Sequence, residues 1–230
     1  MTGFPAAAFG TNCFVVAPAA GQECLVVDPG IGVVDRLDAV LAEHGLRPAA
    51  VLLTHGHVDH VYSVTPVCGA HGIAATVHAD DRYRLVDPLA SLDPVLVAML
   101  EQQFGTAARW AEPDDVSVVT GGQTLEVAGL RVEVVHAPGH TEGSVMFRLD
   151  GAPDGAEAGS TLLSGDVLFA GSIGRTDLPG GDGEAMTRSL RDTVLPLPDD
   201  VLVLPGHGPA TSIGRERATN PFLREVAATR

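Results

Sequence analysis

Lysine is absent from this chain. All 14 basic side chains are arginines, and they stand against 29 acidic side chains, which gives a formal net charge of −15. A protein that follows nucleic-acid phosphates needs a basic surface, so this charge argues against a nuclease or another nucleic-acid-binding function. An acidic chain suits a small-molecule substrate, and we expect no nucleic-acid partner.

Cysteine and long apolar runs are also scarce. The three cysteines, Cys13, Cys24 and Cys68, form no CxxC pair and no even-numbered disulfide framework, so we expect reduced thiols. The first residues lack the basic stretch and apolar core of a secretory signal peptide. No apolar stretch approaches the roughly 20 residues that span a bilayer. We therefore expect a cytoplasmic protein without a membrane partner.

Apolar segments alternate with turn residues along the chain. The segments 12–18 and 23–30 predict a hairpin, and apolar positions at helical spacing predict a helix over 33–45. Further apolar segments predict a helix over 186–195 and strands over 49–55, 117–140 (three strands), 144–150, 161–166 and 201–207. Two sets of strands with helices between them indicate an α/β (α+β) fold with two packed sheets between helices, a four-layer arrangement.

We predict one domain over 1–230, interrupted by an insertion over 80–116 whose apolar spacing predicts a pair of helices. An insertion of this length is either a packed surface element or the wall or lid of a pocket, and both interpretations stay open. The Gly- and Ala-rich segment 150–160 predicts a hairpin loop without a chemical role.

The densest group of candidate metal ligands is the sequence THGHVDH, residues 54–60. In extended backbone, residues two apart face the same side, so His55 and His57 can bind one ion. If a helix begins after His57, Asp59 and His60 turn toward a second point. Three imidazoles and a carboxylate are the mixed nitrogen and oxygen ligands that zinc, iron and manganese bind.

Three further donors each follow a glycine at the end of a predicted strand: His140, Asp166 and His207. Strand ends present rigid loops to a site. The seven donors can hold two metal ions if the two oxygens of Asp166 bridge them. The other four histidines are interpreted as core or turn residues: His44, His71, His78 and His136.

Neighbours of these donors are candidates for supporting roles. Three side chains adjoin ligand segments or end a strand. We expect them to hydrogen-bond the metal ligands on the side away from the metal: Asp28, Thr54 and Ser164. Tyr62 either packs against the start of the helix or contacts substrate. Arg175 either pairs with Asp177 to stiffen its loop or contacts substrate.

Four segments together resemble the metallo-β-lactamase superfamily: THGHVDH, APGHTEGS, SGDVLFAGSIGRTDLPGGD and LPGHGPATSIG. The stretches GDVLFAGSIGRTD and GHGPATSIGRERATNPFL resemble more narrowly its glyoxalase II (hydroxyacylglutathione hydrolase) branch. Only 23 residues follow His207, so we expect the short bacterial type without the C-terminal helical domain of glyoxalase II. Val61-Tyr62-Ser63-Val64 replaces the glycine pair usual after HxHxDH, which brings Tyr62 near the metals.

The resemblance implies a four-layer αββα sandwich with the metals at one end, between the two sheets. It divides the donors between two ions: His55, His57 and His140 for one, Asp59, His60 and His207 for the other, with Asp166 as the bridge. It also implies a hydrolase that cleaves a small acyl thioester with a hydroxide shared by two divalent metals, zinc first and iron or manganese next. Asp59 and Asp166 would be catalytic because they set the charge and orientation of that hydroxide.

Other functions remain open. A mononuclear iron persulfide dioxygenase would use His55, His140 and Asp166, and a lactonase would direct the same hydroxide at a ring ester. A non-catalytic metal-binding module is a third alternative. β-Lactamase activity is disfavoured because no export signal is expected and Asp166 stands where many of those enzymes place cysteine. The chain is expected to be a monomer or homodimer acting on a small thioester.

Overall fold

The structure is a computed structural model that describes residues 1–90, 92, 94–104, 110–151 and 159–229. Most of the predicted loop over 150–160 and three parts of the predicted insertion over 80–116 (91, 93 and 105–109) lie outside these residues. Within the described ranges, no helix has the length and apolar character needed to cross a membrane.

Six strands form the first sheet, and their spatial order follows the sequence. They are β1 (Thr2–Pro5), β2 (Asn12–Val16), β3 (Glu23–Val27), β4 (Arg47–Leu52), β5 (Ala75–His78) and β6 (Val116–Val119). The first three strands are antiparallel, and the neighbouring pairs from β3 to β6 are parallel. The hairpin predicted over 12–30 is present as β2 and β3.

Eight further strands are β7 (Thr124–Val127), β8 (Leu130–His136), β9 (Val145–Asp150), β10 (Ser160–Gly165), β11 (Leu168–Phe169), β12 (Ser172–Ile173), β13 (Leu202–Pro205) and β14 (Thr211–Ser212). Within the described residues, six of them form the second sheet, in the order β14-β13-β10-β9-β8-β7, and β11 and β12 form a separate two-stranded sheet. The three strands predicted over 117–140 are therefore divided between the sheets. Because β6 is parallel to β5, the segment interpreted as an insertion is the long crossover that a parallel pair requires.

The helices connect these strands. They are α1 (Val34–His44), α2 (Val58–Val61), α3 (Val64–His71), α4 (Pro94–Phe104), α5 (Gly183–Ser189), α6 (Ile213–Thr219) and α7 (Pro221–Ala228). α1 confirms the predicted helix and ends at Gly45, whose positive φ of 62° suits glycine. The helix predicted over 186–195 is α5 continued by a π-helical turn. In the crossover, the first of the two predicted helices is a 3-10 helix over Ala79–Leu85, followed by α4.

Alternating side chains of each strand build the layers, since successive residues of a strand point to opposite faces. Phe14 of β2 packs between the sheets in one cluster with Phe147 of β9. Its neighbour Cys13 points outward and packs in a second cluster with Leu37 of α1. Met146 points outward from the second sheet and packs with Met186 of α5 in a third cluster. These three clusters make the predicted four-layer sandwich, with helices outside two facing sheets.

Four strands bring their carboxyl ends to the candidate site. β13 is parallel to β10, and β8 is related to β10 through two antiparallel pairings, so all three strands run in the same direction. Their ends lead to His140, Asp166 and His207, while the end of β4 in the first sheet leads to His55. The topology therefore gathers donors that are far apart in sequence.

Candidate metal centre

Seven side chains with metal-ligating atoms converge at these strand ends. They form three overlapping groups in which one ligand atom from each residue lies within 4.8 Å of the others. The groups are His55, His57 and His140; His55, His60 and Asp166; and Asp59, His60 and His207. All seven donors predicted from the sequence are brought together.

The first cluster consists of the three histidines His55, His57 and His140. His57 Nδ1 lies 2.8 Å from His140 Nε2, and His140 Nε2 lies 3.2 Å from His55 Nε2. His55 and His57 precede α2 in the extended segment that follows β4, as the spacing predicts. Three imidazole nitrogens therefore converge on a single point.

The second cluster consists of Asp59, His60 and His207. His207 Nε2 lies 3.1 Å from Asp59 Oδ2, and His60 Nε2 lies 3.5 Å from the same oxygen. α2 begins at Val58, so Asp59 and His60 turn away from the preceding ligands to this second point. The helix start predicted from the ligand spacing is confirmed.

The carboxylate of Asp166 lies between the two clusters. Its Oδ1 lies 3.3 Å from His60 Nε2, and its Oδ2 lies 3.5 Å from His140 Nε2 and 3.6 Å from His207 Nε2. The two oxygens thus reach ligands of both clusters, which is the geometry that a bridging role requires.

Buried hydrogen bonds set the orientation of His55 and His60. The Thr54 hydroxyl donates to Asp28 Oδ2 over 2.6 Å, so its oxygen accepts from His55 Nδ1 over 3.1 Å. His60 Nδ1 donates to the same Asp28 oxygen over 2.9 Å. A neutral imidazole that donates from Nδ1 carries its lone pair on Nε2, and both of these Nε2 atoms face the centre. The expected supporting roles of Asp28 and Thr54 thus correspond to observed contacts.

His140 is oriented in the same way. Its Nδ1 donates to the carbonyl oxygen of Arg175 over 2.8 Å, which leaves the Nε2 lone pair directed at His55 Nε2. The lone pairs of His140 Nε2 and His55 Nε2 face each other, and the lone pair of His60 Nε2 faces the carboxylate of Asp166. The two atoms of each pair repel each other unless a cation lies between them. Histidine that donates its outer nitrogen while presenting the inner one is the arrangement of metal ligands.

Among the residues that the structure describes, two buried polar atoms at the centre have no hydrogen-bond partner: His60 Nε2 and Asp166 Oδ1. Both side chains are almost fully enclosed, with 0% and 10% of their surface exposed. An unsatisfied buried atom costs about 1–3 kcal/mol, so a folded protein rarely keeps two in one place without a ligand or ion. The residues therefore fit a pair of divalent cations.

Residues 6–207 match the sequence model of the family described as the metallo-beta-lactamase superfamily. The chain belongs to this superfamily. Among curated relatives, an uncharacterized protein of Mycobacterium tuberculosis is 42% identical over 228 residues, 99% of each chain. The probable metallo-hydrolase YqgX of Bacillus subtilis is 37% identical over 88% of each chain. The hydroxyacylglutathione hydrolase GloC of Haemophilus influenzae is 34% identical over 95% of each chain.

Two solved structures of the superfamily resemble the chain over nearly its whole length. BLEG-1, described as a B3 metallo-beta-lactamase, has a TM-score of 0.76 with 35% identity, covering 96% of this chain and 98% of its own. TTHA1623 in a di-iron-bound form has a TM-score of 0.75 with 34% identity, covering 96% and 100%. The chain is a metallo-hydrolase of the superfamily, with His and Asp groups suited to a two-metal centre.

The histidines of the candidate metal centre have pKa values that are shifted in opposite directions. Burial, and then His140, lowers the pKa of His57 to about 3, so its ring is neutral and able to bind a metal. Burial alone would lower the pKa of His60, but Asp166, Asp59 and Asp28 outweigh burial and raise it. These three carboxylates therefore favour a positive charge at His60. A metal ion would supply that charge in place of a proton.

Thr11 and Asn12 support the second cluster, and the sequence analysis gave them no role. The Thr11 hydroxyl donates to Asp59 Oδ2 over 2.8 Å. Asn12 donates from Nδ2 to the carbonyl oxygens of Pro205 and Gly208, each over 2.9 Å, which holds the loop that carries His207. Their position at the start of β2, with Thr11 directly before the strand and Asn12 as its first residue, is the signal that the sequence offers, and it is weak because Thr and Asn are common in turns.

The remaining predicted residues lie around this centre. Tyr62 is buried in an apolar cluster with Ile31 and with Leu100 of α4, and substrate contact stays a prediction. The exposed side chain of Arg175 forms a two-point ion pair with Asp177 over 2.6 and 2.7 Å, as the stiffening role predicts. Ser164 donates to the carbonyl oxygen of Leu168 over 2.8 Å and so shapes the turn around Asp166 rather than binding a ligand.

Proposed function

We propose that the chain hydrolyses a small acyl thioester to an acid and a free thiol, in the manner of a glyoxalase II-like enzyme. The supporting observation is the convergence of five histidine side chains and two carboxylates, with unpartnered atoms at His60 and Asp166 among the described residues. Under the proposal, the first cluster and the second cluster each bind one metal ion, and Asp166 bridges them. Zinc is the proposed metal, with iron or manganese as alternatives.

Metal ions in these clusters would supply a water of low pKa and an electrophile for the substrate carbonyl. The chain's own contribution is orientation. Asp28 keeps the proton of His60 on Nδ1, and the carbonyl oxygen of Arg175 does the same for His140. Asp59 and Asp166 hold negative charge at the centre. Burial alone would raise the pKa of both carboxyls, but His60, His207 and their other polar neighbours together outweigh burial and keep it below the ordinary value.

The cysteines do not compete as nucleophiles. Cys13, Cys24 and Cys68 are all buried in the outer core cluster of the first sheet. Burial raises the pKa of the Cys24 thiol to about 11 and that of Cys68 to about 12, so both stay protonated at neutral pH. A thiolate leaving group needs little protonation, so hydrolysis by water fits the residues present better than covalent catalysis by cysteine.

One of the relatives supports a thioester as the proposed substrate. The protein named hydroxyacylglutathione hydrolase shares 34% of its residues with this chain over 95% of both lengths, so no large domain separates the two. We therefore propose a hydroxyacyl thioester of a low-molecular-weight thiol as substrate. A cytoplasmic location and a monomeric or homodimeric state belong to the same proposal.

The test is steady-state thiol release from a hydroxyacyl thioester of glutathione by protein purified without chelator. His57→Ala should abolish turnover and lower the metal content per chain, whereas His71→Ala, at the exposed end of α3, should leave both unchanged. Faster turnover of a lactone or a β-lactam would contradict the proposal. Oxygen uptake with a persulfide and about one iron per chain would contradict it as well.

A further inference from the structure

Asp81 is a buried carboxylate to which the sequence analysis gave no role. It lies in the 3-10 helix that follows β5, and its residue is 0% exposed. β5 is parallel to β4, so the carboxyl ends of the two strands are neighbours. Asp81 therefore lies beside the segment that carries His55 and His57.

Three donors from two separate loops converge on this carboxylate. The N–H of Gly56, between the ligands His55 and His57, donates to Asp81 Oδ2 over 2.7 Å. The Thr141 hydroxyl, next to the ligand His140, donates to the same oxygen over 2.7 Å. The N–H of Gly143 donates to Asp81 Oδ1 over 2.9 Å. One side chain thus joins the ligand loop of the first sheet to a ligand loop of the second.

Close packing leaves these loops little freedom to move. A Cβ atom at Gly56 would lie 2.6 Å from Arg84 Cβ, and one at Gly143 would lie 2.6 Å from Asp81 N. Arg84 also compensates the buried charge, since its Nε lies 3.3 Å from Asp81 Oδ1. Its Nη2 donates to Glu142 over 2.6 Å, which fastens the His140 loop at a further point. Charge-assisted hydrogen bonds of this kind are stronger than neutral ones.

All three histidines of the first cluster belong to the two loops that Asp81 joins. We infer that Asp81 is a positioning residue that sets the separation of these loops, and thereby the metal affinity of the first cluster. The inference depends on the proposed ligand assignment but not on the thioester substrate. The second cluster has other supports, since Thr11 binds Asp59 and Asp28 binds His60. Loss of Asp81 should therefore weaken one metal site selectively.

Asp81→Asn tests this directly. Asparagine keeps the size of the side chain, but its amide nitrogen must face either Gly143 N–H and Arg84 or the donors on Oδ2, and donors repel donors. Asp38→Asn is the control, because Asp38 is an exposed carboxylate of α1 and belongs to none of the groups of described residues that could hold a metal ion.

Titration of each metal-free protein with cobalt(II), followed by its visible absorption, counts the sites and measures their affinities. Wild type and Asp38→Asn should bind two equivalents. Asp81→Asn should bind one equivalent with the wild-type affinity and the other about 10- to 100-fold more weakly, the range for a group that orients metal ligands. Amide hydrogen exchange at Gly56 and Gly143 in the metal-free protein should become faster.

A second pair of variants avoids dependence on one substitution. Thr141→Val removes the hydroxyl and should weaken the same metal site selectively. Thr141→Ser keeps the hydroxyl and should keep the wild-type cobalt affinity. Thermal unfolding of the metal-free variants separates positioning from stability. Equal weakening of both sites, or a lower Tm with unchanged cobalt affinity, would overturn the inference. Wild-type protein that binds no cobalt would refute the ligand assignment and the inference together.

Discussion

Substitution of Asp28 by asparagine separates the orientation of the ligands from the shape of the backbone. Asp28 is 2% exposed and has a positive φ of 50°, a conformation that few side chains tolerate. Asparagine accepts this left-handed conformation as readily as aspartate does. Asp28→Asn therefore changes the hydrogen bonding to Thr54 and His60 while the backbone strain stays the same.

Both orientations of the new amide are unfavourable. If its oxygen replaces Oδ1, the Thr54 N–H keeps its acceptor, but the amide nitrogen faces His60 Nδ1. His60 must then move its proton to Nε2 and cannot bind a metal through that atom. If the amide is reversed, His60 keeps its tautomer, but the nitrogen faces the Thr54 N–H, which costs about 1–3 kcal/mol for an unsatisfied buried donor.

We therefore expect Asp28→Asn to lower metal affinity about 10- to 100-fold and to destabilise the metal-free protein by about 2 kcal/mol. For a chain of this length that free energy corresponds to a fall in Tm of about 4–8 °C. Competition with a chromophoric chelator measures the affinity, and thermal unfolding measures the stability. Asp38→Asn, on the exposed side of α1, is the control for removal of one charge and should change neither.

An Asp28→Asn protein with wild-type metal affinity and wild-type Tm would refute this reasoning. A lower Tm with unchanged affinity would mean that the amide adopts the second orientation and that the charge of Asp28 does not contribute to metal binding. The two measurements therefore identify which hydrogen bond is lost.

Two further substitutions test the close packing of Gly206 against Asp166 and the buried hydrogen bonds of Glu216. Gly206→Ala should displace the carboxylate of Asp166, since a Cβ atom there would overlap Asp166 Oδ1, and elemental analysis should find fewer metal ions per chain. Gly69→Ala, with no described atom within 4 Å of its Cβ outside its own helix and chain neighbours, should keep the wild-type metal content. Glu216→Ala should lower the free energy of unfolding by about 3 kcal/mol, because the buried Glu216 accepts three hydrogen bonds, one of them from Thr211 over 2.6 Å. Glu216→Gln should lose about 1 kcal/mol or less, since the Thr211 hydroxyl can reverse and accept, and denaturant unfolding distinguishes the two outcomes.

The ligand positions could be predicted from the sequence because their information is local. His55 and His57 are two residues apart in extended backbone, and the helix that begins at Val58 turns Asp59 and His60 to another direction. The later donors each follow a glycine at a strand end. None of these features depends on which strands pair. The alternation of side chains along a strand and the turn residues at its end are therefore sufficient to predict the ligand positions.

Asp28 and Thr54 were expected to support the ligands, but the roles of Asp81 and Thr11 could not be predicted because their partners are distant in sequence. Asp81 binds Gly56, 25 residues earlier, and Gly143, 62 residues later. Thr11 binds Asp59 across 48 residues. Aspartate after a strand and threonine before one are typical of turns, so their residue types carry no signal of the metal centre. The placement of β6 in the first sheet depends in the same way on a pairing that its own apolar pattern does not encode.

Asp28 and Asp81 support different sets of metal ligands, and this difference makes the ligand assignment testable. Asp28 binds His60 directly and reaches His55 through the Thr54 hydroxyl, so it belongs to both clusters. Asp81 binds Arg84 and, through its donors Gly56, Thr141 and Gly143, the two loops of the three-histidine cluster. Loss of Asp28 should therefore weaken two metal sites, and loss of Asp81 only one. A single mononuclear centre cannot produce that contrast, because both variants would then lower the same affinity.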